Sequence, residues 1–124
     1  MLNLFAIAGG GAIGALMRFW ISNSIYAMYG RDFPYGTLVV NVLGSFFMGF
    51  LFVMLTERFN MDPAWRAVLL IGLLGAFTTF STFSIETLNL FLAGEAVKSA
   101  MNIILSVVVC IFATWLGFLI GRQI

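Results

Sequence analysis

The chain has 124 residues, of which 62% are hydrophobic and only 9% are charged, and its formal net charge is +1. A soluble domain carries about 25% charged residues, and a charged fraction as low as this one cannot cover a water-facing surface. The composition therefore predicts an integral membrane protein with one domain over residues 1–124. The near-neutral charge excludes a basic footprint for nucleic acid, while the absence of histidine and the single cysteine exclude an intrachain disulfide and a histidine or multi-cysteine metal site.

Four apolar segments follow one another along the chain, each near the roughly 20 residues that cross the hydrocarbon core as a helix. We predict an all-α fold with membrane spans over residues 2–26, 37–56, 64–92 and 97–120. The sequence GRDFPYG, residues 30–36, contains charge, proline and glycine and is predicted to be a loop. Before the third span, Asp62 is a good N-cap and Pro63 suits the first helical position.

The first span contains a pair of glycines and a basic residue. Gly10 and Gly14 form a small-xxx-small pair, which lets two membrane helices approach closely. This pattern is common in membrane helices, so we interpret it as a packing feature only. Arg18 is assigned to the far end of the same span.

The basic residues divide evenly between the two sides of the membrane that four spans define. Arg58, Arg66 and Arg122 fall on the side of the N-terminus, and Arg31, Lys98 and Arg18 fall on the other. Differences in Lys and Arg between the two sides orient membrane proteins. A balance of three against three therefore predicts dual topology, with copies inserted both ways and paired antiparallel, or a modest bias hidden by one misassigned residue such as Arg18.

Polar residues recur every four positions in the second and fourth spans. The second span carries Thr37, Asn41 and Ser45, and the fourth carries Asn102, Ser106, Cys110 and Thr114. A spacing of four places each set along one helical face. An asparagine amide has two donors that its own backbone cannot satisfy, so Asn41 serves either as an interhelical bond or as part of the wall of a narrow wet path.

The third span contains the sequence GAFTTFSTFSIE, from Gly75 to Glu86. Glycine, threonine and serine are mediocre helix formers, so an unbroken helix is not expected here, and a break inside a membrane requires that the freed backbone groups line a cavity or find partners. Phe80 and Phe83 are three residues apart and project to similar sides of a helix. Since a phenyl ring is positive at its edge, an anion can lie against these rings.

Glu86 is an ionisable residue inside the third span, which makes it a functional candidate. It follows Phe83 by three residues. It either borders a wet vestibule and influences how the ion enters, which we favour, or forms a structural hydrogen bond.

Two segments resemble a known family closely. GTLVVN, residues 36–41, and GAFTTFSTFSIE resemble the signature segments of the CrcB/Fluc fluoride channels, with ALMRFW around Arg18 as weaker support. The resemblance in order and spacing extends over the whole chain. It implies an antiparallel, dual-topology homodimer with two separate fluoride pores and a broken third helix. It also implies passive export of fluoride, and hence fluoride resistance, in a bacterial inner membrane.

The resemblance also implies roles for individual residues. Phe80 and Phe83 would contact fluoride through their ring edges, with Ser81 and Thr82 beside the rings. Asn41 would be the donor that faces the pore, and Thr37 would lie one turn away from it. Ser106 and Cys110 would lie on the polar track of the fourth helix, which Asn102 and Thr114 continue. The backbone carbonyls of Gly75 and Thr78 would hold a structural sodium ion at the dimer centre. Cys110 departs from the serine of several relatives, and Ala76 and Phe77 depart from the usual Gly-Leu.

Two other classes of protein remain as alternatives. Small multidrug-resistance antiporters are also short, four-span, dual-topology dimers, and Glu86 would be their membrane carboxylate, although their acid lies in the first span and this first span has none. An inert assembly subunit would not need two phenylalanines among hydroxyls. An enzyme is not expected, because the spans contain no histidine, carboxylate pair or activated nucleophile.

Overall fold

The computed structural model describes residues 2–124, with side chains described from residue 3 onward. The helices are α1 (Leu2–Tyr29), α2 (Tyr35–Val53), α3 (Pro63–Arg66), α4 (Gly75–Phe77), α5 (Phe80–Leu92) and α6 (Ala96–Gln123), and wider π-helical turns extend α2 over Met54–Arg58 and join α3 to α4 over Ala67–Leu74.

Four helical stretches are long and apolar enough to cross a membrane. They are Asn3–Tyr29, Tyr35–Arg58, Pro63–Leu92 and Ala96–Gln123. The predicted all-α class and the predicted number of spans are therefore confirmed for the described part of the chain. The first span continues to Tyr29 instead of ending at residue 26.

Local signals in the sequence determine where several helices begin and end. Gly30 and Gly94 follow α1 and α5 with φ angles of +84° and +83°. This left-handed backbone, which glycine adopts without steric cost, commonly ends helices. At the start of α3, the Asp62 side chain accepts a hydrogen bond from the Ala64 amide at 3.2 Å, and Pro63 occupies the first helical position. The predicted N-cap is confirmed.

Two extended residues separate α4 from α5 in the third of these stretches. Thr78 has φ −90° and ψ 160°, and Thr79 has φ −151° and ψ 117°. Such a junction takes helical donors away from the last carbonyls of α4 and helical acceptors away from the first amides of α5. The residues around Thr78 and Thr79 therefore have to supply replacement partners.

Glycines let the helices cross with their backbones in contact. Cβ atoms added to Gly10 or Gly14 would collide with backbone carbonyls in the stretch between α3 and α4. Cβ atoms added to Gly49 in α2 or Gly117 in α6 would collide with the backbone of the other helix. Gly10 and Gly14 of the first span thus pack against another helix of the same chain. The bundle consists of two close helix pairs: α1 packs against the stretch Pro63–Leu92, and α2 packs against α6.

Few large apolar side chains are buried inside the single chain. Val40 and Val53 are fully enclosed, whereas most large apolar side chains of α6 and many of α1 are exposed. A water-soluble monomer does not expose contiguous apolar surface of this extent. Lipid or another protein chain must therefore cover it.

The position of Arg18 differs from the prediction. Helix α1 continues over residues 19–29 beyond it, roughly 16 Å at 1.5 Å per residue. Its guanidinium Nε donates a hydrogen bond to the Ala76 carbonyl at 3.0 Å, between α1 and α4. Arg18 therefore lies well inside the helix, and its assignment to the end of the span is wrong. Without it, three basic residues on one side face two, Arg31 and Lys98, on the other.

Candidate functional site

A groove of about 370 Å³ lies between α2, the junction of α4 and α5, and α6. Residues from the predicted polar segments of the second, third and fourth spans meet in it. Its lining includes the polar side chains of Asn41, Ser45, Thr78, Thr79, Ser106, Cys110 and Thr114, together with the rings of Phe80 and Phe83. The groove therefore combines hydroxyl, amide and aromatic groups inside an otherwise apolar bundle.

Phe80 and Phe83 meet at this groove. Their ring centroids are 5.3 Å apart, and the ring planes are inclined by 49°. Phe83 is buried, with 8% of its surface exposed, whereas Phe80 is 76% exposed. Both rings line the groove, and the Phe80 ring is in addition largely exposed at the surface of the single chain.

Asn41 fastens α2 to the junction between α4 and α5. Its Nδ2 donates to the Thr79 carbonyl at 3.0 Å, and its Oδ1 accepts from the Thr79 amide at 2.7 Å. The side-chain amide thereby pairs with both backbone groups of an extended residue, as a neighbouring strand would. Because a primary amide has two donors, Asn41 keeps a second N–H for the groove that it lines. Both predicted roles, the interhelical bond and the groove wall, are compatible with this position.

The Gly75 and Thr78 carbonyls are among those that lose their helical donors at the junction. In a continuous helix, the Thr79 amide would bond to the Gly75 carbonyl, and the Thr82 amide to the Thr78 carbonyl. Instead, the Thr79 amide bonds to Asn41, and the Thr82 amide bonds to Thr79 Oγ1 at 3.2 Å. The carbonyl oxygens of Gly75 and Thr78 are consequently left with lone pairs that can bind a hard cation.

Arg18 supplies the partner for the Ala76 carbonyl, which lies between those two. A guanidinium at the last turn of a helical stretch interacts favourably with the negative end of the helix dipole. Inside a membrane, backbone carbonyls are among the usual partners of ionisable side chains. Arg18 therefore stabilises the end of α4 from the neighbouring helix.

Ser81 and Thr82 lie beside the groove lining and are not part of it. Thr82 belongs to the N-terminal cap of α5, because Thr79 Oγ1 accepts its amide and donates to its hydroxyl at 3.0 Å. Ser81 is exposed in the single chain. Neither side chain reaches the groove from this chain.

The polar ladder of α6 divides into two parts. Asn102 is 1% exposed, and its Nδ2 donates to Thr87 Oγ1 in α5 at 2.8 Å, while Ser106 donates to its Oδ1 at 3.3 Å. This part bonds α6 to α5. Cys110 is a free, half-buried thiol and lines the groove together with Thr114 and Ser106.

Glu86 and Thr37 do not line the groove. Glu86 Oε2 accepts a hydrogen bond from the Tyr26 hydroxyl at 2.7 Å, and the same hydroxyl lies 3.3 Å from Thr37 Oγ1. Glu86 lines a separate cavity of about 230 Å³ with Tyr26, Arg31 and Asn89. The structure thus joins Glu86 to α1 and not to the phenylalanines.

Sequence reasoning missed two of these contacts. The bond from Arg18 to Ala76 joins residues 58 positions apart, and the bond from Tyr26 to Glu86 joins residues 60 positions apart. The charged residues Arg18 and Glu86 inside predicted spans were the only signals for these contacts. Each identifies one residue of its hydrogen-bonded pair and does not identify the other.

Comparison with known proteins identifies the family of this chain. A family described as "CrcB-like protein, Camphor Resistance (CrcB)" matches residues 5–118. A protein of Methylococcus capsulatus named "Fluoride-specific ion channel FluC" is 58% identical over 99% of this chain, which spans 54% of that relative's length. Proteins with the same name from Hydrogenovibrio crunogenus and Coxiella burnetii are 49% and 48% identical over 99% of this chain, and 93% and 100% of their own lengths are covered.

The family match over residues 5–118 includes at least part of every described helix and both segments around the groove, and a relative from Coxiella burnetii is covered over its full length. The chain therefore belongs to the CrcB family, and it is a multi-pass membrane protein of that family.

Proposed function

We propose that this chain conducts fluoride passively across the bacterial inner membrane and, by exporting it from the cytoplasm, gives resistance to fluoride. The observation that carries the proposal is the groove, where two phenyl rings, an amide N–H and several hydroxyls converge in a chain whose relatives are named fluoride-specific ion channels. Chemical catalysis is not expected of such a groove.

The composition of the groove suits a small anion that has to keep moving. Burying a bare anion costs tens of kcal/mol by idealised Born estimates, so a pore has to replace the lost water with donors. A basic side chain inside the groove would bind an anion too tightly for release, and the lining contains none. Ring edges, the Asn41 amide and hydroxyls such as Ser106 offer several weak contacts, and conduction requires sites that an ion can leave as well as enter.

Three features favour a second copy of the chain as the partner that completes two pores. The Phe80 ring is exposed beside an open groove, and the apolar surface of the single chain is extensive. The loop charges of three against two give little preference for one orientation. An antiparallel homodimer with two pores, in which the third helix is broken within the membrane at Thr78 and Thr79, fits these features.

A structural sodium ion at the centre of this dimer is the second part of the proposal. The Gly75 and Thr78 carbonyls fit such an ion, because their helical donors are bonded elsewhere and oxygen ligands suit a hard cation. These two residues from each copy would hold it. The ion would neutralise carbonyl charge at the break.

Fluoride efflux from liposomes tests the conduction. Purified protein reconstituted at low density should release fluoride, measured with an ion-selective electrode, when a potassium ionophore balances the charge. Chloride efflux from matched liposomes should remain near that of protein-free liposomes. Equal release of both anions, or none, would contradict the proposal. Proton-coupled export of a hydrophobic cation that depends on Glu86 would favour the antiporter alternative.

Orientation in the membrane tests the antiparallel dimer. Neutralising Arg31 and Lys98 while adding lysines beside Arg58 and Arg122 should orient all copies one way, because positively charged loops stay cytoplasmic. This variant and the variant with the opposite charge changes should each fail alone to protect cells from fluoride, and the two together should restore protection. Full protection by one such variant with verified orientation would exclude the antiparallel dimer.

A further inference from the structure

We infer that Tyr26 and Glu86 are positioning residues that set the rotation of α5 and thereby the place of the Phe83 ring in the groove. This inference rests on the proposed function, and it assigns Glu86 a task that does not involve contact with the ion. Its basis is a chain of contacts outside the groove lining that links α5 to α1 and α2.

The first contact is the hydrogen bond from the Tyr26 hydroxyl to Glu86 Oε2, at 2.7 Å. Tyr26 is buried and is held from α2, because the Thr37 amide donates to its hydroxyl oxygen at 3.4 Å and Thr37 Oγ1 lies 3.3 Å away. A Cβ on Gly36 would lie 2.5 Å from the Tyr26 ring, so only glycine leaves room for this ring. The hydroxyl is therefore a fixed donor.

The outer face of the same ring is also occupied. The Arg31 guanidinium lies 4.4 Å from the centroid of the Tyr26 ring, a cation–π distance. Glu86 Oε1, in contrast, is buried and has no hydrogen-bond partner among the described residues. A carboxyl group with one unsatisfied oxygen is a poor source of stability compared with an apolar side chain of similar size. The contribution of Glu86 is therefore the position that its bonded oxygen, Oε2, imposes on α5.

Helix α5 needs such a constraint because the extended residues Thr78 and Thr79 interrupt the helix before it. The rotation of α5 is therefore not inherited from α4. On the side of α6 it is fixed by bonds to Thr87 from Ser99 and Asn102. On the side of α1, it is fixed by the hydrogen bond from the Tyr26 hydroxyl to Glu86.

A small rotation is enough to matter for the groove. At 3.6 residues per turn, Glu86 and Phe83 lie roughly 60° apart around the axis of α5, within one turn of each other. A side chain about 5 Å from the axis moves by roughly 2 Å when a helix rotates by about 20°. That shift exceeds the tolerance of a contact between a ring edge and a small ion, so loss of the bond should lower selectivity as well as flux.

Three substitutions separate the hydrogen bond from the charge of Glu86. Tyr26→Phe removes the donor and keeps the ring, Glu86→Leu removes the acceptor, and Glu86→Gln keeps an acceptor oxygen without the charge. Fluoride and chloride efflux from liposomes and thermal unfolding in detergent would be measured for each. We expect Tyr26→Phe and Glu86→Leu to lower fluoride flux about tenfold and to lower the ratio of fluoride to chloride flux, whereas Glu86→Gln should stay close to wild type. Tyr29→Phe, on the exposed end of α1, is the matched control and should behave as wild type.

The double substitution Tyr26→Phe with Glu86→Leu keeps the test valid if either single variant fails to fold. It removes both partners of the bond and leaves no orphaned carboxylate; the Thr37 amide and hydroxyl alone lose the Tyr26 hydroxyl as a partner, so the variant should fold and still show reduced selectivity. Wild-type flux and selectivity in a folded Tyr26→Phe or double variant would overturn the inference, and so would equal losses in Glu86→Gln and Glu86→Leu, since the charge would then matter and not the bond. These outcomes leave the proposed function intact, which fails if the wild-type protein releases no fluoride or releases fluoride and chloride equally.

Discussion

Replacing Asn41 by leucine should both destabilise the protein and stop conduction. The substitution leaves the amide and the carbonyl of Thr79 without the partners that they have at 2.7 and 3.0 Å. An orphaned buried polar group costs about 1–3 kcal/mol, so the loss should be about 2–6 kcal/mol. Side-chain hydrogen bonds inside membranes average only about 0.6 kcal/mol each, which makes about 1 kcal/mol the smallest loss we expect.

Asn41→Asp separates the two roles of this residue. A carboxylate can still accept the Thr79 amide, but it turns an acceptor toward the Thr79 carbonyl and places a negative charge at the groove. We therefore expect an intermediate loss of stability and a complete loss of fluoride flux. The order of stability should be wild type, then Asn41→Asp, then Asn41→Leu.

Thermal unfolding of the detergent-solubilised protein and fluoride efflux from liposomes would measure both effects. Asn23→Leu, the same substitution in α1 away from the junction, is the control for added apolar bulk. Wild-type melting and wild-type flux in Asn41→Leu would refute the role of Asn41 at the junction. Wild-type flux in Asn41→Asp would refute an anion path beside this side chain.

Three further predictions follow from the groove and the junction. Phe83→Ile should lower fluoride flux about tenfold, because it removes a ring-edge contact of roughly 1.4 kcal/mol, while Phe91→Ile on the exposed side of the same helix should conduct normally in the same liposome assay. A small, water-soluble methanethiosulfonate reagent should inhibit efflux by modifying Cys110, and Cys110→Ser should be insensitive to it; inhibition that persists in Cys110→Ser would contradict a wet path at this position. Arg18→Leu should lower the unfolding free energy by about 1–3 kcal/mol because the Ala76 carbonyl loses its donor, and Arg18→Lys should recover part of the loss; identical melting of all three proteins would show that this bond contributes nothing.

The sequence predicted the features that depend on neighbouring residues. Apolar runs gave the four spans, Asp62 and Pro63 gave the start of the third, and the four-residue spacing of Asn41 and Ser45 placed both on the face that lines the groove. These features depend on helix geometry and on local capping, which a short window of sequence contains.

The contacts that the sequence did not predict depend on how separate helices align. Asn41 bonds to the backbone of Thr79, and backbone groups are the same in every residue, so no side-chain pattern identifies this partner. The depth of Arg18 was misjudged because apolar residues and Tyr26 to Tyr29 continue the helix past the predicted end. Glu86 was expected near the rings from its spacing to Phe83, but the Tyr26 hydroxyl draws it to α1.

The donors at the junction between α4 and α5 all come from the same polypeptide. Asn41, Arg18 and Thr79 bond to the Thr79 backbone, the Ala76 carbonyl and the Thr82 amide through contacts inside one chain. A newly inserted copy can therefore form these bonds before it meets a partner, and the Gly75 and Thr78 carbonyls are the groups of the junction that still need one. If the chain assembles as the proposed antiparallel dimer, these internal bonds belong to a folding step that precedes association, and the abundance of the rarer orientation would then limit assembly.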